Sequence, residues 1–339
     1  MHNYRADNSF IQYMGRVDLS DLSGPVLSTP GSVINIAFRG TGCDLFIDDE
    51  HRWGVNQNYL QLVVDDELFF RVQTRGQRDT IRVVRDLPAG KHTLTICKNT
   101  ESGIGNITFR GLMCRKLLPY RDKTIRRIEF IGNSITCGMG ADTSGIPCGK
   151  AEWYDQHNAY FSYGPVTARR FNARWHLSSN SGIGLIHSCC DKGYEMPDVY
   201  ETMSLEPGGK PWDFSRYAPD LVTICLGQND GIQDLDRMAE AYIDFIETLR
   251  GYYPSAEIIC LSSPMADSEL KSFQADYLTA VVNRMHQKGD LRIRKYIFEK
   301  SYNSGCDAHP DLAEHLAIAD ELTAFVKQNF GWKYEMPEK

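Results

Sequence analysis

Three short polar stretches of the sequence could together supply the groups needed for acyl transfer. GNSIT presents Ser134 directly after an apolar run, LGQND contains Asn229, and CDAHP contains Asp307 and His309. A serine hydroxyl can act as a nucleophile with a histidine as its general base. An asparagine amide and backbone N–H groups can stabilise the oxyanion that forms. The residue types therefore point to acyl-transfer chemistry.

Each stretch also has a simpler structural explanation when it is taken alone. A serine after Gly-Asn is more often a turn residue or a helix cap than a nucleophile. An Asn or Asp at a strand end usually makes a local turn hydrogen bond, and Pro after His is a common helix start. The combination is informative because every group follows a predicted strand of its own. A fourth stretch, SSNSGIGL, adds Gly182 and Gly184 after another predicted strand.

The second half of the chain predicts the elements that would position these groups. After Lys116, apolar strand-like runs alternate with stretches of helical periodicity. Such alternation is typical of a parallel sheet covered by helices on both faces. Ligands of these sheets bind beyond the carboxyl ends of the strands, where the polar stretches occur. The clearest predicted helices cover residues 234–253, 267–289 and 310–331.

The first half of the chain has a different periodicity of apolar residues. From about Gly15 to Arg115, seven or more short runs of alternating or β-branched residues are separated by turn sequences such as GTG, TRGQ and PAG. This pattern predicts an antiparallel sandwich or jelly roll. We place the boundary in RKLLPYRDK, which gives a β-sandwich domain over residues 1–118 and an α/β domain over residues 125–335.

Composition excludes several classes of partner. The 339-residue chain is 42% apolar and 24% charged, with a net charge of −7 and no long basic run, so a nucleic-acid partner is not expected. No apolar run approaches the roughly 18 residues of a membrane span. No signal peptide is visible, which predicts a cytoplasmic protein or a secreted one whose signal has been removed.

A metal or organic cofactor is not expected either. Most of the ten cysteines, such as Cys225 and Cys260, occur singly in apolar strands and are best explained as buried free thiols. No C-x-x-C pair occurs, and His309 and His315 are spaced six apart rather than as H-E-x-x-H. The sequence therefore predicts no zinc site.

The polar stretches resemble the conserved blocks of a known superfamily. GNSIT resembles the GDS(L/I) block of SGNH hydrolases, with Asn133 in place of the usual Asp. GQND matches their G-x-N-D block and DAHP resembles their final Asp/His block, so the likeness covers roughly residues 125–330. The preceding GRVD and PGSVINIAFRGTG resemble the N-terminal jelly roll of carbohydrate esterase family 2. That family contains two-domain deacetylases of acetylated xylan and other acetylated sugars.

The resemblance implies a fold and a set of roles. The expected fold is a flavodoxin-like three-layer α/β/α domain with a parallel sheet, preceded by an all-β jelly roll. Ser134 would be the nucleophile and His309 the general base, oriented by Asp307. The oxyanion would be bound by the Ser134 N–H, the Asn229 amide and a glycine N–H from SGIG, for which we favour Gly184 over Gly182.

The same resemblance leaves two features of the site open. Asp307 is only two residues before His309, whereas the usual superfamily pattern is D-x-x-H. The spacing is similar to that of carbohydrate esterase family 2, where some members orient the histidine with a main-chain carbonyl, so Asp307 could use either group. The family also often carries an aromatic residue between these two positions, and this chain has Ala308.

The expected function is a serine esterase that removes O-acetyl groups from acetylated sugars, oligosaccharides or xylan. Two alternatives are a lipase- or thioesterase-like SGNH hydrolase and a carbohydrate-binding protein with a degenerate hydrolase domain. The intact set of Ser134, Asn229 and His309 argues against degeneration. The expected partner is an acetylated carbohydrate, and the sequence leaves a homo-oligomer open.

Overall fold

A computed structural model describes residues 1–333, and its chain folds into an antiparallel β-structure followed by an α/β structure. The last strand of the first part ends at Leu118 and the first strand of the second begins at Arg126. Positions 334 and 335, which the predicted α/β domain includes, lie outside the described residues.

The N-terminal part is built from ten antiparallel strands that enclose an apolar core. Its central ladder runs β3-β4-β10-β5-β9-β6-β7, while β1 pairs with β10, and β2 and β8 pair with β5. The strands are β1 His2–Arg5, β2 Gln12–Met14, β3 Val17–Asp18, β4 Val26–Leu27, β5 Val33–Asp49, β6 Tyr59–Val64, β7 Leu68–Gln73, β8 Asp79–Val84, β9 Gly90–Lys98 and β10 Ile107–Leu118.

One strand differs from the sequence prediction. The sequence predicts two strands, SVINIAF and CDLFID, separated by a turn at GTG. In the structure they form one continuous strand, β5. Its first part pairs with β9 and its second part with β8, and β10 follows it along most of its length. Gly40 has a φ of 148°, a conformation that glycine adopts without penalty, so the glycines bend this strand instead of ending it.

The C-terminal part is a parallel five-stranded sheet in the order β12-β11-β13-β14-β15 with helices on both faces. The strands are β11 Arg126–Gly132, β12 Ala173–Ser179, β13 Leu221–Cys225, β14 Glu257–Leu261 and β15 Ile293–Tyr296. The helices are α1 Ser134–Cys137, α2 Tyr163–Arg170, α3 Met196–Val199, α4 Leu235–Tyr252, α5 Ser268–Gln287 and α6 Leu312–Phe330.

The three long helices begin and end at residues whose types favour those positions. Asp234, Asp267 and Asp311 each accept a hydrogen bond from a backbone N–H in the first turn of α4, α5 and α6. Gly331 ends α6 in the left-handed conformation. Apolar side chains of α2 and α6 pack on one face of the sheet and those of α4 and α5 on the other. The predicted three-layer arrangement is therefore confirmed.

Buried polar contacts join the β-sandwich to the α/β part. The indole N–H of Trp175 on β12 donates to the carbonyl of Gly31 at 3.0 Å. The fully buried guanidinium of Arg16 lies 3.2 Å from the Glu129 carboxylate on β11. A buried charge is costly without a partner, so separating Arg16 from Glu129 would be unfavourable. The two contacts therefore hold the sandwich against the sheet. No helix among residues 1–333 is both long and apolar enough to cross a membrane.

Candidate active site

The end of β11 positions Ser134. Gly132 is the last residue of the strand, and a methyl group added there would overlap the side chain of Thr136. Asn133 caps the short helix α1 by accepting a hydrogen bond from the Ile135 N–H at 3.1 Å. Ser134 is thus the first residue of the helix, and among the described residues its backbone N–H has no acceptor. A nearly buried hydroxyl and a free N–H therefore share one residue.

The imidazole of His309 lies against this hydroxyl. It lies between β15 and α6, and its Nε2 is 2.7 Å from Ser134 Oγ. Its Nδ1 is 2.9 Å from the main-chain carbonyl oxygen of Asp307. Because a carbonyl can only accept, the proton of the neutral imidazole sits on Nδ1, which leaves Nε2 free to accept the serine proton. This is the geometry of an activated serine nucleophile.

Burial keeps the histidine in its neutral form. Removal from water is the main influence and lowers the pKa of His309, whereas the hydrogen bond to the Asp307 carbonyl raises it and charge on nearby His157 lowers it further. The net effect is a pKa of His309 below the ordinary value of 6.5. A base that is unprotonated at neutral pH can remove a proton from serine.

The carboxylate of Asp307 is not the group that orients the histidine ring. The residue is exposed, and its carboxylate makes no hydrogen bond with His309 among the described contacts. Asp307 and Ala308 both have positive φ values, 51° and 54°. Non-glycine residues adopt this conformation rarely, and it is found where the surroundings enforce it. Here it turns the Asp307 carbonyl toward Nδ1.

The histidine loop is held against the serine by main-chain contacts and a disulfide. The Cys306 N–H donates to the Gly140 carbonyl at 2.9 Å, and the His309 N–H donates to the Cys306 carbonyl at 3.0 Å. Cys306 also forms a disulfide with Cys148, with 5.3 Å between the Cα atoms. The sequence did not predict this bond, because it indicated only buried free thiols. Six other cysteines are free and buried, as the sequence suggested for Cys225 and Cys260.

Asn229 follows β13 and faces the loop after β12. Its side-chain amide donates one hydrogen bond to the Ile183 carbonyl at 2.8 Å. An NH₂ group has two hydrogens, so the second is available for a ligand. The neighbouring Asp230 is buried, and its carboxylate accepts hydrogen bonds from the N–H groups of Leu185, Ile186 and His187 at 2.7–3.1 Å. Asp230 therefore fixes the same loop that Asn229 contacts.

The two candidate glycines of this loop have different partners. The N–H of Gly184 donates to Ser188 Oγ at 3.0 Å, so it is already occupied and does not fit the role predicted for it. The N–H of Gly182 has no acceptor among residues 1–333. Gly182 also has a φ of 78°, which glycine tolerates best. Gly182 is therefore the glycine with an unoccupied N–H, and we carry it, in place of Gly184, into the proposed function.

Two buried side chains beside the site were missed by sequence reasoning. Glu101, from the sandwich, accepts hydrogen bonds from both the N–H and the hydroxyl of Ser181, at 2.6 and 2.5 Å. His157 Nε2 lies 3.1 Å from the same carboxylate. Neither residue belongs to a recognisable motif, and Glu101 comes from the other domain. Only the folded structure reveals their proximity.

Five aromatic residues of the segments between the catalytic stretches differ in exposure: Trp153, Tyr154, Tyr160, Trp212 and Phe214, of which Phe214 is half-buried. Tyr154, Tyr160 and Trp212 are buried, which agrees with a packing role. Trp153 is 45% exposed, and its ring packs edge-on against His157 with 5.0 Å between the centroids. Among the described residues, no group of three or more His, Cys, Asp or Glu side chains is arranged to hold a metal ion.

Two family models match consecutive parts of the chain. Residues 13–120 match the carbohydrate esterase 2 N-terminal domain, and residues 130–292 match the GDSL-like lipase/acylhydrolase family. A solved structure of a family two carbohydrate esterase from Clostridium thermocellum, in complex with cellohexaose, is 34% identical. It covers 95% of this chain and 99% of that one, with a TM-score of 0.87. The chain belongs to carbohydrate esterase family 2.

Two curated members of this family show how the chain relates to whole proteins. The cellulase/esterase CelE of Acetivibrio thermocellus is 34% identical over 96% of this chain, which spans only 40% of the length of CelE. An acetylxylan esterase / glucomannan deacetylase of Cellvibrio japonicus is 27% identical over 98% of this chain and 92% of that protein. The family consists of carboxylic ester hydrolases. The family membership and the fold class predicted from the sequence are both confirmed.

Proposed function

We propose that this carbohydrate esterase family 2 protein removes O-acetyl groups from acetylated sugars, oligosaccharides or xylan, with Ser134 as nucleophile and His309 as base. The observation that carries the proposal is the 2.7 Å contact between Ser134 Oγ and His309 Nε2. It joins residues 175 positions apart at the carboxyl edge of the sheet. A structural serine at a helix start has no need of a histidine partner.

The chemistry follows from the tautomer of His309. Nε2 takes the hydroxyl proton as Ser134 Oγ attacks the acetyl carbonyl, and the Asp307 carbonyl hydrogen-bonds the imidazolium that results. The imidazolium then gives its proton to the departing sugar oxygen, which leaves an acetyl-serine. A water molecule repeats the sequence, releasing acetate and restoring Ser134. No metal or organic cofactor enters these steps.

Three hydrogen-bond donors are proposed for the tetrahedral oxyanion. They are the N–H groups of Ser134 and Gly182 and the second amide hydrogen of Asn229. The two N–H groups have no acceptor among the described residues, and the Asn229 amide is oriented by its bond to the Ile183 carbonyl. Preorganised donors of this kind stabilise charge as it develops, because they do not have to reorient.

The aromatic surface for the sugar is proposed to be Trp153. The family often has an aromatic residue where this chain has Ala308. Of the five aromatic residues named above, Trp153 is the exposed one, and its neighbour His157 is close enough to lower the pKa of His309. A flat exposed ring offers apolar contact area without a large entropy loss on binding.

The names of relatives support a carbohydrate substrate. One relative is named an acetylxylan esterase / glucomannan deacetylase, and one solved relative holds cellohexaose. The location stays a prediction. The Cys148–Cys306 disulfide favours an oxidising compartment over the cytoplasm, since disulfides persist mainly outside reducing cells. Self-association also stays a prediction.

The proposal is tested by acetate release from acetylated xylo-oligosaccharides and glucomannan, with p-nitrophenyl acetate, p-nitrophenyl butyrate and triacylglycerol alongside. We expect turnover of the acetylated glycans and a strong preference for acetyl over butyryl esters. We expect Trp153→Ala to raise KM for the glycan while leaving p-nitrophenyl acetate hydrolysis unchanged. Preference for butyrate or triacylglycerol would support the lipase alternative. Sugar binding without hydrolysis of any ester would support the carbohydrate-binding one.

A further inference from the structure

A loop of the β-sandwich places a carboxylate inside the catalytic domain. Glu101 follows β9 and immediately precedes the 3₁₀ turn Ser102–Ile104, and it is 2% exposed. The loop is supported from below by buried Lys98, whose Nζ donates to the carbonyls of Thr100 and Glu101 at 2.7 and 3.1 Å. The side chain of Glu101 is therefore presented from a fixed backbone.

The hydrogen bonds of the Glu101 carboxylate all come from the catalytic domain. One carboxylate oxygen accepts the N–H of Ser181 at 2.6 Å. The other accepts the Ser181 hydroxyl at 2.5 Å and faces His157 Nε2 at 3.1 Å. Burial raises the pKa of the Glu101 carboxyl, but the bonds and charge from His157 and the bonds from Ser181 outweigh it, and the net pKa is lowered. Glu101 is thus a carboxylate with three close N–H or O–H donors, and the Cys137 thiol lies 4.0 Å from one of its oxygens.

Ser181 is the residue directly before Gly182. The N–H proposed to bind the oxyanion belongs to the peptide bond that joins these two residues, so its direction depends on how Ser181 is held. Glu101 holds Ser181 by both its main chain and its side chain. The following carbonyls are held separately, by Asn229 at Ile183 and by the Met196 N–H at Gly184.

We propose that Glu101 is a positioning residue of the active site, by which the sandwich domain orients the Gly182 N–H toward the oxyanion. Its negative charge is unsuited to contact an oxyanion directly and is satisfied by Ser181 and His157. The assignment rests on the proposed function, because it presumes an oxyanion at Ser134. It gives the N-terminal domain a role in the chemical step that does not require it to touch the sugar.

Substitutions at Glu101 should lower kcat, and Glu101→Ala should lower it more than Glu101→Gln. Glu101→Ala removes every acceptor. Glu101→Gln keeps one acceptor oxygen for the Ser181 N–H. The new NH₂ group would then face His157 Nε2 and can bond to it only if the ring carries its proton on Nδ1 instead. Nδ1 is a buried atom with no partner among the described residues. Because a misplacement of about 1 Å can cost on the order of 100-fold in rate, we expect kcat for p-nitrophenyl acetate to fall about 10- to 100-fold in Glu101→Ala. Glu101→Gln should fall between this variant and the wild type.

A matched control is available in the same interface. Glu206 forms another carboxylate contact between the domains, an ion pair with Arg52 at 3.0 Å, and both side chains are partly exposed. Since such pairs contribute roughly 0–1 kcal/mol, Glu206→Ala should keep kcat within about threefold of wild type. If Glu101→Ala is poorly folded, Ser181→Ala removes only the hydroxyl bond and should show a smaller loss of kcat at unchanged Tm.

The decisive readout is a double-mutant cycle between Glu101→Ala and Asn229→Ala. If both act on one oxyanion, their losses in kcat should be less than multiplicative, while KM for this small ester changes little. Multiplicative losses, or wild-type kcat in folded Glu101→Ala, would overturn the positioning role. Activity of Ser134→Ala equal to wild type would instead overturn the proposed function, so the two failures are distinguishable.

Discussion

His309 is oriented by the main-chain carbonyl of Asp307, 2.9 Å from Nδ1, while the carboxylate of Asp307 faces solvent. A carbonyl supplies the same directional acceptor as a carboxylate but carries no full charge. The orientation of the proposed catalytic base is therefore set by backbone geometry, in a loop whose residues Asp307 and Ala308 have positive φ.

Replacement of the Asp307 side chain should consequently have little effect. Asp307→Asn keeps a residue that tolerates the left-handed conformation and leaves the carbonyl in place, so kcat/KM should stay within about threefold of wild type. Steady-state kinetics with p-nitrophenyl acetate measure this. A loss of two orders of magnitude or more would mean that the carboxylate orients His309 after all.

The pH dependence should show the low pKa of His309. Burial is the chief reason that this pKa lies below the ordinary value of 6.5. Since His309 must be neutral to act as a base, kcat/KM should fall with a slope of one proton as the pH is lowered, with a midpoint below pH 6.5. A pH–rate profile of kcat/KM tests this, with Tm followed in parallel. A midpoint above pH 6.5 in folded protein would contradict it.

Asn229 should matter for turnover more than for folding. Asn229→Ala removes the proposed oxyanion donor, whose loss typically costs about 10²- to 10³-fold in kcat. The variant also loses the bond to the Ile183 carbonyl, but Asp230 still holds the following three N–H groups, so the loop should remain in place. Kinetics together with circular dichroism measure both effects. A loss below tenfold would remove Asn229 from the oxyanion site.

The disulfide should couple stability to activity. Cys148 is exposed, so Cys148→Ser breaks the link to Cys306 without opening a cavity in the core. Because the bond closes a loop of 158 residues, its loss should lower the free energy of unfolding by about 2–4 kcal/mol. The histidine loop loses a tether in the same step, so kcat should fall as well.

A thiol reductant provides the matching control for this prediction. Wild type should lose stability and turnover on reduction, whereas Cys148→Ser keeps only the adjacent Cys189–Cys190 pair as a target and should change less. Urea unfolding curves and acetate release with and without dithiothreitol give both readouts. Equal curves for oxidised wild type and Cys148→Ser would show that the bond does not stabilise the histidine loop.

Much of the fold could be predicted from local sequence. Apolar periodicity and aspartate caps located α4, α5 and α6 within a few residues, because these helices are amphipathic and capped by their own residues. The turn after β11 could also be predicted, since Gly132, Asn133 and Ser134 are residue types that favour a strand end, a helix cap and a helix start. The continuous strand β5 was not, because Gly40 and its neighbours look like a turn when their partner strands are unknown.

The site was predictable only as far as its motifs extend. Ser134 and His309 belong to short blocks, and the structure brings them together. The choice of Gly182 over Gly184 depends on Ser188 and could not be read from a sequence in which both glycines look alike. Glu101 and the Cys148–Cys306 pair depend on contacts between distant parts of the chain. Such contacts leave no local periodicity to detect.

The nucleophile assignment is tested most directly by covalent labelling. Wild type should react with one equivalent of diethyl p-nitrophenyl phosphate, lose activity in proportion, and carry the label on the peptide containing Ser134 when it is mapped by mass spectrometry. Ser134→Ala should remain folded, take up no label and release acetate at least about 10³-fold more slowly. Full activity of Ser134→Ala, or stoichiometric labelling of another residue, would contradict the account.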